Sequence, residues 1–156
     1  MTELQENKKA PDFKLASNGG KEIGLKDFLG KKHVVVYFYP KDNTPGCTQE
    51  SCDFRDRVNK FEKLGAVVLG ISADSLSSHE NFSKKFSLPF PLLSDENKKV
   101  IQSYGVWKEK SMYGKKYMGI ERTTVLIDKK GMVRKIFPKV KVTGHIEEVL
   151  SELEKL

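Results

Sequence analysis

His33-Val34-Val35-Val36-Tyr37-Phe38-Tyr39, halted by Pro40, is a nearly unbroken run of β-branched and aromatic residues. Such a run marks a strand covered on both faces, as in a parallel sheet. Beyond a polar loop through Asn43, Phe54, Val58 and Phe61 recur at spacings of four and three, predicting one helix from about Thr44 or Pro45 to Leu64 with a single apolar stripe. Thr44 fits its N-cap, Pro45 its first residue and Gly65 its C-cap. Ala66 to Ser72 forms a second apolar run, and Leu76, Phe82 and Phe86 predict a helix capped near Ser75. Strand, helix, strand, helix is the grammar of a βαβ sheet.

Downstream, Phe90-Pro91-Leu92-Leu93 reads as a short segment limited by its proline, followed by a helix from about Glu96 to Tyr104 and then Gly105. Thr123–Ile127 and Met132–Phe137 flank Asp128-Lys129-Lys130-Gly131, a hairpin pattern with Gly at the bend. Ile146, Val149, Leu150 and Leu153 fall at i, i+3, i+4 and i+7, so an amphipathic helix closes the chain. No repeat, low-complexity tract or linker divides the 156 residues, and a single α/β domain covering 1–156 is expected.

Composition narrows the function. The net charge of +7 comes largely from Lys pairs in the second half, Lys98-Lys99, Lys115-Lys116 and Lys129-Lys130. These lack the interleaved aromatics of a nucleic-acid track, so a solvated Lys-rich surface is expected and no nucleic-acid partner. No apolar run reaches the ~20 residues of a membrane span. Met1 to Ala10 is polar and carries Glu3, Glu6, Lys8 and Lys9 without an apolar core, which predicts no secretory signal and a cytoplasmic location. His33, His79 and His145 fall in different elements, the last two on expected helix surfaces, and form no ligand spacing with the cysteines. No metal or other cofactor is expected.

The two cysteines, Cys47 and Cys52, are too few for a disulfide framework and point to chemistry rather than architecture. Cys47 falls in the first turn of the predicted helix, where free N–H groups and the positive end of the helix dipole favour a thiolate. Pro40 at the strand end can shield the sulfur, and the Thr44 hydroxyl can hydrogen-bond the sulfur or a bound peroxide oxygen. Cleavage of an O–O bond needs such a thiolate in line with the bond and donors for the departing oxygen.

Tyr37-Phe-Tyr-Pro-Lys-Asp-Asn-Thr-Pro-Gly-Cys-Thr-Gln-Glu-Ser-Cys-Asp-Phe-Arg-Asp56 resembles the active-site segment of the peroxiredoxin Q, or bacterioferritin comigratory protein, group of peroxiredoxins. Ala10-Pro11-Asp12-Phe13, the stretch 88–95 and the stretch 119–128 resemble that group in the same order, so the similarity spans nearly the whole chain. The resemblance implies a thioredoxin-like fold, a central mixed β-sheet flanked by helices on both faces. It implies reduction of hydrogen peroxide and organic hydroperoxides without metal or haem, and recycling by thioredoxin or a similar dithiol donor. Cys47 matches the peroxidatic cysteine, Pro40 and Thr44 the motif around it, Arg122 the arginine beside it, and Cys52 the resolving cysteine. Gly46 and Glu50 are supporting residues of that site. Arg122 suits its role physically, since its permanent charge and fixed fork of donors can favour both thiolate and peroxide oxygen. Glu50 can orient Arg122 or Thr44, or simply cap the first helical turn.

Residues five apart in a helix have Cα atoms about 8.7 Å apart, whereas a disulfide needs about 7 Å or less. A Cys47–Cys52 bond therefore requires the first turns to unwind. The product would be an intramolecular disulfide in a monomer. Two rival readings share part of this pattern. A thioredoxin-like exchanger normally uses Cys-x2-Cys, and a peroxide sensor would use the same switch with a single oxidation per event.

Overall fold

The structure is a computed structural model, and it describes residues 4–156; Glu3 and the rest of 1–3, part of the polar start noted above, lie outside the described residues. In chain order the elements are β1 (Lys14–Ala16), β2 (Glu22–Gly24), a 3-10 turn (Leu25–Phe28), β3 (His33–Phe38), α1 (Pro45–Asp56), α2 (Val58–Lys63), β4 (Ala66–Ser72) and α3 (Leu76–Phe86). They continue with β5 (Leu92–Ser94), α4 (Lys99–Ser103), β6 (Trp107–Met112), β7 (Lys115–Ile120), β8 (Thr123–Ile127), β9 (Val133–Phe137) and α5 (His145–Leu153).

A five-stranded sheet ordered β5-β4-β3-β8-β9 forms the centre. β3 and β4 pair in parallel, as do β4 and β5, while β8 runs antiparallel to both β3 and β9. The unbroken apolar run of β3 follows from burial on both sides. Val34, Val36 and Phe38 join one core with Val100 and Ile101 of α4 and Leu25 of the 3-10 turn. Val35, Tyr37 and Tyr39 join the other with Phe54, Phe61, Phe82 and Val149 from α1, α2, α3 and α5. The expected mixed sheet with helices on both faces is the fold observed. Among the described residues, no helix is long and apolar enough to cross a membrane.

Three sequence expectations change. The single helix to Leu64 is two helices, because Arg57 at φ −121, ψ 15 ends α1 and starts α2. That bend keeps Phe61 over the sheet, 5.5 Å from the Phe54 ring, and lets Arg57 reach Glu147 of α5 at 2.6 Å. The helix expected from Glu96 is only α4, because Lys98 is left-handed at φ 64 and the Asp95 carboxylate turns the chain by accepting the Ile101 N–H. His79 and His145, expected on helix surfaces, are buried. Each has polar partners inside the fold, which an amphipathicity pattern does not reveal. Ser75 caps α3 as expected, its side chain accepting the Ser78 N–H.

The β6–β7 hairpin has no counterpart in the sequence reading. Its strands carry four Lys and mostly exposed side chains instead of an apolar run. The turn at Tyr113-Gly114 takes φ 52 and φ 76, the two positive values of a type I′ hairpin turn that glycine accepts readily.

Candidate active site around Cys47

β3 delivers the chain to Tyr39 and Pro40, the latter half-buried at the strand end. Asn43 turns left-handed at φ 62, and Thr44 is the extended N-cap of α1 at φ −93, ψ 155. Pro45 opens the helix without sacrificing a hydrogen bond, and Thr48 N–H donates to the Thr44 carbonyl at 2.8 Å. Cys47 is thus the third helical residue, and its side chain is buried at 1% exposure. Free helical N–H groups and the dipole converge there.

Arg122, between β7 and β8, reaches this helix start from the head of β8, the strand paired with β3. Its Nη2 donates to Cys47 Sγ at 3.3 Å and its Nη1 to Glu50 Oε1 at 2.7 Å. The sequence left the role of Glu50 open between Arg122, Thr44 and capping; the geometry pairs it with Arg122. Glu50 is fully buried, and among the described residues its Oε2 has no hydrogen-bond partner. Burial pushes its carboxyl up from 4.5 to about 7, although the Arg122 guanidinium pulls the other way. Gly46 supports the arrangement sterically: a Cβ there would lie 3.1 Å from Arg122 Nη2. A larger residue would press on the atom that donates to the sulfur.

The Thr44 hydroxyl, predicted to meet sulfur or peroxide, donates to the Lys41 carbonyl at 2.8 Å. That leaves its oxygen lone pairs free to accept a hydrogen from a hydroperoxide. Cys52 lies further along α1, half-buried, and burial pushes its thiol up while Arg55 opposes this. Both cysteines are free thiols in one continuous helix, so they are not in bonding reach as folded.

Sequence reasoning missed several neighbours. Lys110, in the unrecognised hairpin, has its ammonium pulled down by burial first and then by the Arg122 charge, which places it in the field of the site. His145 shares a hydrogen bond with Thr124 Oγ1 at 2.8 Å, and its imidazole is pushed down to about 4 by burial and then by Arg122. Tyr37 Oη and Ser51 Oγ meet at 2.9 Å behind the helix. Asp42, Asp74 and His79 bring possible ligand atoms within 4.8 Å of one another, but a direct His79 Nδ1 to Asp42 Oδ2 contact at 2.6 Å fills that cluster with a hydrogen bond.

Residues 7–136 match the AhpC/TSA family. The chain is 51% identical over 150 residues to a protein from Coxiella burnetii named putative peroxiredoxin bcp, covering 96% of this chain and 99% of that one. It is 48% identical over 153 residues to peroxiredoxin Bcp of Bacillus subtilis, covering 98% and 97%. Among solved structures it superposes on Xanthomonas campestris peroxiredoxin Q with a TM-score of 0.87 at 44% identity, covering 92% of this chain and 90% of that one. A Xylella fastidiosa PrxQ mutant gives a TM-score of 0.88 at 36% identity, covering 97% and 98%.

Proposed function

The chain belongs to the AhpC/TSA family, in the peroxiredoxin Q group, and from that premise we propose that Cys47 is the thiol with which it attacks peroxide. The protein is a thiol-dependent peroxidase with a thioredoxin-like fold. It reduces hydroperoxides with electrons from a thiol donor. The observation that carries the assignment is the 3.3 Å contact between Arg122 Nη2 and Cys47 Sγ, held in place by Glu50.

In the first step the Cys47 thiolate attacks the outer peroxide oxygen. The O–O bond breaks, Cys47 becomes a sulfenic acid, and the departing hydroxide or alkoxide takes a proton to leave as water or alcohol. Arg122 offsets the negative charge spread over sulfur and oxygen in the transition state, while Thr44 accepts the peroxide hydrogen and orients the bond. Pro40 covers the strand-end side of the sulfur. In the second step Cys52 attacks the sulfenic sulfur, releasing water and forming an intramolecular disulfide. That step requires α1 to unwind first, because its Cα separation of about 8.7 Å exceeds disulfide reach. A dithiol donor such as thioredoxin then returns both sulfurs to thiols and is itself oxidised.

The same reading treats residues 1–156 as one domain, acting as a monomer in the cytoplasm, because both reacting sulfurs come from one chain and two closely spaced thiols suit a reducing compartment. Steady-state consumption of hydrogen peroxide and of an organic hydroperoxide, with and without a thioredoxin system, tests the cycle. Sustained turnover only with thioredoxin supports it. A single oxidation equivalent per chain under the same conditions would instead indicate a sensor.

A further inference from the structure

Cys47 is presented by the loop 40–44, and that loop is anchored by a buried polar cluster in which the reaction described above has no part. Asp42, 6% exposed, and His79, fully buried on α3, form its centre. His79 Nε2 lies 2.9 Å from the Leu93 carbonyl of β5, and Nδ1 lies 2.6 Å from Asp42 Oδ2. A carbonyl oxygen only accepts, so Nε2 carries a hydrogen. A bare Nδ1 lone pair cannot sit 2.6 Å from a carboxylate oxygen, so a proton lies between them as well. The hydrogen-bond network thus assigns the pair one proton more than a neutral imidazole facing a carboxylate.

Every group facing this pair fits that count. Tyr39 Oη at the end of β3 donates to Asp42 Oδ1 at 2.5 Å, and burial keeps that phenol protonated. Ser78 Oγ of α3 donates to Asp42 Oδ2 at 2.8 Å. The Asp42 N–H donates to Asp74 Oδ2 at 2.8 Å, and Asp74 is itself held by Ser72 Oγ at 2.6 Å. Lys85 of α3 is exposed and donates to Asn43 Oδ1 at 3.2 Å. Asp42 is therefore fastened through both its backbone and its carboxylate to the β4–α3 corner. Its neighbour Lys41 supplies the carbonyl that holds the Thr44 hydroxyl.

We propose that His79 is a positioning residue for the peroxidase reaction. As a donor to both Asp42 and the Leu93 carbonyl, it fixes the loop that carries Thr44 and presents Cys47. The clamp also divides the polypeptide at Asn43. Upstream, Asp42 is tied to the β4–α3 corner; downstream lies α1, whose unwinding for disulfide formation does not have to break the clamp. Misplacement of a reacting group by even ~1 Å costs rate heavily, so the clamp acts on the peroxide step although it touches neither sulfur nor substrate.

The two ring nitrogens can be tested separately. An asparagine amide nitrogen falls near the place of Nδ1, and a glutamine amide nitrogen near that of Nε2. His79→Asn keeps the donor to Asp42, whereas His79→Gln keeps the bond to Leu93 and leaves Asp42 without it. The measurement is the second-order rate of Cys47 oxidation by hydrogen peroxide in a single turnover, with the melting temperature of each variant alongside. His79→Asn should stay within about threefold of wild type and His79→Gln should fall about tenfold or more, without a matching difference in melting temperature. A wild-type rate in His79→Gln, or rate losses that simply follow melting temperature in both variants, would overturn the proposal. If His79→Gln is not recovered folded, Asp42 gives the same comparison. Asp42→Asn keeps an oxygen for Tyr39 and offers its amide to a neutral His79, so its rate is retained; Asp42→Leu loses about tenfold or more. Equal rates in those two variants also overturn it. The inference rests on Cys47 as the attacking thiol, which Cys47→Ser in the same assay tests independently.

Discussion

One guanidinium holds Glu50 and Cys47 together: Arg122 places Nη1 2.7 Å from Oε1 and Nη2 3.3 Å from Sγ. The carboxylate fixes the plane of the fork, and the fork delivers a charge and a hydrogen to the sulfur. Arg122→Met should slow Cys47 oxidation by at least about tenfold. Arg122→Lys should recover little of it, since a single ammonium cannot serve both partners. Stopped-flow peroxide reactions of the three proteins check this, and a wild-type rate in the methionine variant would place Arg122 outside the chemistry.

Gly46 leaves the space in which that fork sits. In Gly46→Ala the new Cβ would lie 3.1 Å from Arg122 Nη2, so the guanidinium must shift and its bond to sulfur lengthens. A severalfold slower peroxide step is expected, on the order of 1 kcal/mol in barrier, with thermal stability nearly unchanged. Lost stability with an unchanged rate would show that the helix start yields instead of the arginine.

The two thiols carry unequal tasks in the proposed cycle. Cys47→Ser should abolish peroxide reduction. Cys52→Ser should allow one fast oxidation to sulfenic acid and then stall with thioredoxin. Mass spectrometry after one equivalent of peroxide distinguishes these outcomes, and equal residual turnover in both variants would reject the assignment. On a non-reducing gel the oxidised wild-type protein should run as a monomer.

Buried Glu50 and buried His145 give stability opposite dependences on pH. Burial raises the Glu50 carboxyl from 4.5 to about 7. The folded state then holds more protons than the unfolded chain, so this contribution is full below about pH 4.5 and is lost as pH rises through about 7. His145 is lowered from 6.5 to about 4, so its contribution is present above about pH 6.5 and lost as pH falls through about 4. Glu50→Gln leaves the histidine unopposed. Relative to wild type, its stability should gain on the order of 2 kcal/mol between pH 4.5 and 6.5. Denaturant midpoints across that range decide the matter; parallel curves for the two proteins would refute the raised carboxyl.

Oxidation should deprotect the backbone amides of about the first two turns after Thr44, since Cys47 and Cys52 share the continuous helix α1 and cannot bond across it. The central sheet should keep its protection. Hydrogen exchange on reduced and oxidised samples tests this. Equal protection from Thr44 to Arg57 in both states, with the Cys47–Cys52 bond confirmed, would mean that the segment is not helical when reduced.

The sequence alone determined the elements whose residues repeat with the period of their own structure: the apolar runs of β3 and β4, the stripes of α3 and α5, and the start of α1 at Thr44-Pro45 with its cysteine. Local chemistry suffices there, because periodicity, caps and prolines act over a few residues. The motif also named Arg122, 75 residues from Cys47, but only by resemblance. Only the tertiary structure decided that Glu50 faces Arg122, that the Thr44 hydroxyl donates to the Lys41 carbonyl, and that His79 and His145 are buried. It also decided that the Lys-rich hairpin β6–β7 brings Lys110 into the field of the site. Those outcomes depend on which polar group meets which inside the fold, through contacts between residues distant in the chain. A buried polar side chain is stable only with such partners, and no periodicity in one strand or helix records where its partner will come from.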